Sequence, residues 1–234
     1  MPRDVGVVVV AAGEGRRFGG SVRKVYRELC GVPLLLYAVR PFASHPDVAH
    51  VTVVLSREDA AAPPEWLSSV MGSNLTVVAG GAQRSDSVAA GLAVLPESCS
   101  IVLVHDGARP LAGRAVIDAV IRQARAGVGA VAAVALRDTL KRTAPDSDPP
   151  RVQETIPRRH LWRAQTPQGF PRAMLAEAFR RAGSEGSRAT DEASLVEATG
   201  APVVIVPDSP SNIKVTTPDD LKLAERLIEA GIQG

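Results

Sequence analysis

The stretch that most constrains the fold is Val5-Gly6-Val7-Val8-Val9-Val10-Ala11-Ala12, which stops abruptly at Gly13-Glu14-Gly15-Arg16-Arg17-Phe18-Gly19-Gly20 and is followed by Lys24. Consecutive valines are stiff at χ1 and favour an extended chain. A run that is apolar at every position suits a strand covered on both faces, the setting of a central strand in a parallel sheet. The glycines beyond it let backbone N–H groups come close to an anion, and Arg16, Arg17 and Lys24 set positive charge beside them. The stretch therefore reads as a strand feeding a phosphate-binding loop. Its spacing, Gly13, Gly15 and Gly19, is not the G-x-G-x-x-G of a dinucleotide fold, and the G-K-[ST] ending of a P-loop is missing. Two adjacent arginines suit a triphosphate, which brings more negative charge to neutralise.

Downstream the pattern alternates. Strands are expected at His50–Leu55, Leu75–Ala79, Ile101–His105, Ala130–Leu136 and Pro202–Val206. Helices are expected at Pro33–Arg40, stopped or interrupted by Pro41, and at Pro63 to Gly72, Gln83–Leu95, Ala115–Ala126 and Arg172–Ala182. Thr190-Asp191-Glu192 reads as an N-cap for a helix reaching Thr199. Thr217-Pro218-Asp219-Asp220 starts a last helix to about Ala230, with Thr as cap, Pro at N1 and acids in the first turn. Such alternation implies an α/β fold, a mainly parallel twisted sheet flanked by helices, with ligands at the carboxyl ends of its strands. The loops at Gly13, Gly80 and Asp106 all follow strand ends and are expected to meet on one edge. The rhythm breaks over 137–160, where two short alternating segments flank a turn rich in Pro, Asp and Ser. This reads as a projecting β-arm within a single domain spanning 1–234.

Composition narrows the partners. A net charge of +2 and only 3% aromatic residues argue against nucleic-acid binding by bulk charge or base stacking. The two cysteines, Cys30 and Cys99, lack C-x-x-C spacing, so neither a zinc site nor a disulfide framework is indicated. No signal-peptide pattern and no membrane-length apolar run is present, and a cytoplasmic setting is expected.

Several motifs in fixed order carry a resemblance that covers nearly the whole chain. They are Ala11-Ala12-Gly13-Glu14-Gly15-Arg16-Arg17, Gly80-Gly81 with Arg84-Ser85-Asp86-Ser87-Val88, Val104-His105-Asp106-Gly107-Ala108-Arg109-Pro110, Arg137-Asp138-Thr139-Leu140-Lys141-Arg142, Thr166-Pro167-Gln168, Thr190-Asp191-Glu192-Ala193-Ser194 and Asn212-Ile213-Lys214-Val215-Thr216. Together they resemble the 2-C-methyl-D-erythritol 4-phosphate cytidylyltransferases of the non-mevalonate isoprenoid pathway. The resemblance implies a Rossmann-like nucleotidyltransferase fold, CTP and a sugar-alcohol phosphate as substrates, Mg²⁺ or another divalent cation, and a homodimer formed by exchange of the β-arm.

The same resemblance implies roles. Arg17, Lys24 and Lys214 would be the catalytic cations. Ala11, Ala12, Gly13, Gly15, Arg16, Gly80, Gly81 and Ser87 would bind CTP, because cytosine offers one donor and two acceptors that backbone and hydroxyl groups complement. Asp106, Arg109, Thr139, Thr166 and Thr190 would hold the methylerythritol side, with Arg158 supplied by the second subunit's arm. Asp106 would ligate the metal or hold a sugar hydroxyl. The chain departs from the family's habit at Ala82 and Gln83, where acids are frequent, and at Arg23-Lys24-Val25, where Pro-Lys-Gln is common. A ribitol 5-phosphate cytidylyltransferase and a non-catalytic nucleotide-binding module are the competing readings. Against a dinucleotide oxidoreductase stands the glycine spacing. His105 reads as a structural histidine, and Trp66 and Trp162 as packing residues.

Overall fold

The computed structural model describes residues 3–13, 18, 23–68, 74–183 and 189–232. The sequence assignments to Gly15, Arg16 and Arg17 lie outside these residues. The first strand, β1 (Val5–Val10), is central in a seven-stranded sheet. It pairs in parallel with β4 (Val48–Leu55) on one side and β6 (Ile101–Asp106) on the other, and β4 pairs in turn with β5 (Leu75–Ala79). The valines divide by parity, as a strand's two-residue period requires. Val5, Val7 and Val9 face a core with Leu35, Phe42 and Ile117, while Val8 faces a second core with Val88, Leu92 and Phe170. Each fully buried valine contributes about 1.5–3 kcal/mol of transfer free energy, so the run secures both layers at once.

The helices of the first core are α1 (Leu34–Ala43) and α5 (Arg114–Arg125). On the other face lie α4 (Arg84–Val94), α6 (Arg172–Ala182) and α7 (Glu192–Glu197). Helix α1 continues past Pro41, where the sequence suggested a stop. The missing N–H removes one hydrogen bond, but Phe42 is wholly buried just beyond it, and that packing carries the helix to Ala43. Two short elements, α2 (Arg57–Ala61) and α3 (Glu65–Ser68), cover the β4–β5 crossover. The small ladder of β2 (Glu28–Leu29) and β3 (Val32–Pro33) leads into α1.

The far half of the sheet differs most from expectation. Beyond β6 comes β10 (Trp162–Pro171), antiparallel to both β6 and β7 (Gly129–Ala135), and then β11 (Val203–Pro207), parallel to β7. No strand is evident in the sequence at 162–171, because Gln165, Thr166 and Gln168 interrupt its apolar pattern; all three are buried. Gly169 permits the insertion, since a Cβ there would stand 2.4 Å from Val120 Cγ1 and 2.7 Å from Leu103 Cδ2. Trp162 is 42% exposed at the start of β10, which corrects its reading as a packing residue. Trp66 is half-buried against the first core.

Between β7 and β10 the chain forms a separate antiparallel hairpin of β8 (Leu140–Thr143) and β9 (Val152–Ile156), almost wholly exposed. Lys141 Nζ donates to Thr155 Oγ1 at 2.7 Å and Arg142 pairs with Glu154 across it. The last helix, α8 (Pro218–Glu229), has the capping box read from sequence: the Asp220 N–H donates to Thr217 Oγ1 and the Thr217 N–H to Asp220 Oδ2. Its Leu221 and Ala224 pack with Leu34, Ala108 and Val215, fixing the segment that carries Lys214.

Candidate active site

The carboxyl ends of β1, β5 and β6 converge on a cavity of about 600 Å³. One wall is backbone. The Ala11 N–H donates to Val54 C=O at 2.8 Å and the Gly107 N–H to Val10 C=O at 2.9 Å, holding the end of β1 against its neighbours. Gly80 sits so close that an added Cβ would be 2.6 Å from both Ala12 Cβ and Ser87 Oγ. Ser87 is tied in place, accepting from the Gly81 N–H at 3.3 Å and donating to Gln83 C=O at 3.2 Å. Ala11, Ala12, Gly13, Gly81 and Ser87, all assigned to CTP from sequence, line this one cavity. Ala82 and Gln83 line it as well.

The opposite wall carries charge. Asp106 is buried at the end of β6, and Lys214 Nζ lies 3.0 Å from its Oδ2, Arg109 Nε 3.3 Å from the same oxygen, and Arg84 Nη2 3.5 Å from Oδ1. Burial alone would raise its pKa, but Lys214, Arg84 and Arg109 outweigh that and hold the carboxyl well below the usual range. Lys214 owes its place to Asn212, which is fully buried. Asn212 Nδ2 donates to Thr166 C=O at 2.8 Å and to Asp208 Oδ2 at 2.7 Å, while its own C=O accepts from Arg109 Nη1 at 2.8 Å and Gln165 Nε2 at 2.9 Å. The Val215 N–H then donates to Ala108 C=O at 2.8 Å, so Lys214 is pinned on both sides.

Beneath Asp106 runs a short relay. Its N–H donates to Thr166 Oγ1 at 3.0 Å, the Thr166 hydroxyl donates to His105 Nδ1 at 2.9 Å, and His105 Nε2–H donates to Arg109 C=O at 3.0 Å. This fixes one neutral tautomer. His105 is fully buried, and that burial lowers its pKa to about 4. His105 is thus structural, as the sequence suggested, and the Thr166 hydroxyl orients the Asp106 backbone.

Lys24 lines the cavity from the side. The residues beside it explain how Arg23-Lys24-Val25 can replace the commoner sequence: Arg23 pairs with Glu58 at 2.8 Å and Asp59 at 3.0 Å on α2, and Val25 is buried in the first core. Next along, Tyr26 meets Trp66 edge-on with centroids 6.4 Å apart. Lys24 therefore sits on a short 3-10 turn anchored at both ends.

The structure does not gather every assigned residue here. Thr139 and Arg158 lie exposed at the arm, where Arg158 donates to Arg137 C=O. Thr190 lines a second cavity of about 450 Å³ between α6 and α7. Two residues without a sequence assignment support the charged wall: Arg84, which lines the cavity, and behind it Glu192, whose Oε1 accepts from Arg84 Nη1 at 2.6 Å. The signal available for Arg84 is its i,i+3 spacing to Ser87 at the start of α4, which puts both on one helix face.

A protein-held metal centre does not fit these residues. Asp106 is the single carboxylate among the described residues lining the cavity, and three cations already surround it. No group of three or more His, Cys, Asp or Glu with metal-binding placement occurs among the described residues.

The family model for 2-C-methyl-D-erythritol 4-phosphate cytidylyltransferase matches residues 5–230. A protein of that description from Syntrophus aciditrophicus is 37% identical over 98% of this chain and 97% of its own length. A bifunctional IspD/IspF enzyme from Anaeromyxobacter sp. is 44% identical over 99% of this chain but only 60% of its own length, so the chain spans little more than half of such relatives. Among solved structures, the 2-C-methyl-D-erythritol 4-phosphate cytidylyltransferase from Thermus thermophilus superposes with a TM-score of 0.77 at 34% identity, covering 95% of this chain and 98% of that one.

Proposed function

The chain belongs to the 2-C-methyl-D-erythritol 4-phosphate cytidylyltransferase family, and from that membership we propose that it converts CTP and 2-C-methyl-D-erythritol 4-phosphate to 4-diphosphocytidyl-2-C-methyl-D-erythritol and pyrophosphate, a step in isoprenoid precursor synthesis. A phosphate oxygen of the polyol attacks the α-phosphorus of CTP, and the bond from that phosphorus to the oxygen bridging to the β-phosphorus breaks as pyrophosphate leaves. A phosphate monoester is already an anionic nucleophile near neutral pH, so the protein's work is positioning and charge neutralisation.

The observation that carries this reading is the placement of Lys24 and Lys214 on the walls of one cavity whose remaining lining is mostly backbone and small residues. Lys24 faces the triphosphate in our reading, a role the sequence also assigns to Arg17, and Lys214 and Arg109 flank the incoming phosphate. Gly81, Ser87 and the end of β1 read the base. Asp106 orients the polyol together with Lys214 and Arg109. A divalent cation would be held by the substrate's phosphates and water in place of protein carboxylates and would supply further charge neutralisation. Thr139 and a partner's Arg158 complete the polyol side when two chains exchange arms, while Thr190 lines the separate cavity between α6 and α7. The exposed Leu140, Val152 and Trp162 at the arm support that exchange, since apolar residues so placed suit burial against a second copy. No described helix is long and apolar enough to cross a membrane, and the free thiols Cys30 and Cys99 suit the reducing cytoplasm in which we place the protein.

The direct test is pyrophosphate release with Mg²⁺, CTP and either 2-C-methyl-D-erythritol 4-phosphate or ribitol 5-phosphate. Preference for the former is expected; preference for ribitol 5-phosphate would reassign the substrate, and turnover with neither would leave a nucleotide-binding module. Sedimentation as a monomer at micromolar concentration would remove the exchanged arm.

A further inference from the structure

The Arg84–Glu192 pair joins the first residues of α4 and α7, two helices that share the second core. Glu192 is the first residue of α7 and only 1% exposed. Its backbone is fixed from both sides: Asp191 caps the helix by accepting the Ser194 N–H at 3.0 Å, and Gln168 on β10 donates to Asp191 Oδ2 at 2.8 Å and accepts the Ala193 N–H at 3.0 Å. The helix is therefore capped and docked without any help from the Glu192 carboxylate. That carboxylate has one oxygen on Arg84, and its Oε2 has no hydrogen-bond partner among the described residues. Burial pushes its pKa up against the opposing pull of Arg84.

A buried ion pair is weak support for stability, since apolar residues of like volume do as well or better. Its value here is geometric. Arg84 is divided unequally between two carboxylates, with Nη1 at 2.6 Å from Glu192 and Nη2 at 3.5 Å from Asp106. Without the Glu192 charge the nearest anion left to Arg84 is Asp106, and the guanidinium would close on it in competition with Lys214 and Arg109.

We propose that Glu192 is a positioning residue that holds the Arg84 guanidinium back on the cavity wall, keeping Asp106 available to Lys214, Arg109 and a hydroxyl of the incoming polyol. The inference rests on the cytidylyltransferase reading for its kinetic effect but not for its geometry. Glu192 does not line the cavity and acts wholly through Arg84.

Two measurements on the full chain test it. In ¹⁵N-labelled protein, restricted rotation should leave the Arg84 side-chain Nη–H resonances resolved, and Glu192→Gln should shift them while keeping them resolved, because the guanidinium closes on Asp106; Arg84→Lys identifies the signals. Averaged or unshifted signals in Glu192→Gln would overturn the proposal, and this readout needs no turnover. In kinetics, Glu192→Gln should raise KM for the polyol phosphate about tenfold, the size expected of direct coupling within one ion-pair network, with KM for CTP within about twofold. Arg84→Ala combined with Glu192→Gln should be no worse than Arg84→Ala alone. Additive losses would mean that Glu192 acts independently of Arg84. If the unmodified protein turns over neither polyol phosphate, the reaction assignment fails while the resonance test still decides the positioning.

Discussion

Lys214 Nζ stands 3.0 Å from Asp106 Oδ2, and the same carboxylate answers Arg109 and Arg84. Because its pKa is depressed in the folded state, Asp106 contributes stability that is complete above its unfolded value of 3.8 and fades as pH falls from there towards the folded value. Asp106→Asn removes the carboxylate that Lys214, Arg109 and Arg84 share and should cost about 3 kcal/mol at neutral pH. Urea unfolding between pH 2 and 5 should also show a shallower acid slope in the variant. An unchanged slope would remove Asp106 as the titrating group.

Lys24 tests the nucleotide side. Removing one cation from a water-excluded site costs about 3 kcal/mol of transition-state stabilisation, so Lys24→Ala should lower kcat by about 100-fold with little change in melting temperature. Arg23→Ala, which frees the turn from Glu58 and Asp59, should raise KM for CTP with a smaller loss of kcat. Wild-type kcat in Lys24→Ala would take it out of the chemistry.

Two glycines with similar crowding separate binding from packing. Gly80→Ala would press on Ala12 and Ser87, and Gly169→Ala on Val120 and Leu103. Each should lose about 1–3 kcal/mol of stability through overpacking. Gly80→Ala should in addition raise KM for CTP, and Gly169→Ala should not; equal effects on KM would separate Gly80 from base recognition.

His105 offers a second pH signature. With its pKa lowered to about 4 in the folded chain against 6.5 unfolded, it contributes stability that is full above pH 6.5. That contribution is lost on acidification at up to about 1.4 kcal/mol per pH unit until pH 4. Imidazole NMR should find the ring neutral, protonated on Nε2, from pH 5 to 8. A midpoint near 6.5 would contradict the buried relay through Thr166.

The sequence made the central strand and its neighbours readable because apolar side chains report burial directly. Val5 to Val10 alternate between two cores, and the loops at Gly13, Gly80 and Asp106 do converge on one edge. What escaped was polar burial. Strand β10 hides behind Gln165, Thr166 and Gln168, whose partners lie 23 to 61 residues away, and a linear pattern counts such residues as exposed. Arg84 and Glu192 escaped likewise, since 108 residues separate the partners and each reads locally as an ordinary helix start.

The hairpin of β8 and β9 has a property that follows from its root. The Leu136 N–H donates to Leu161 C=O at 3.0 Å, and Ala135 pairs with Trp162, so the chain leaves the sheet and re-enters it at adjacent positions. Everything between is a side branch, closed at its base, whose residues are absent from both cores. Length and sequence there can drift without disturbing the sheet, which leaves the branch free to evolve to fit whatever surface it meets.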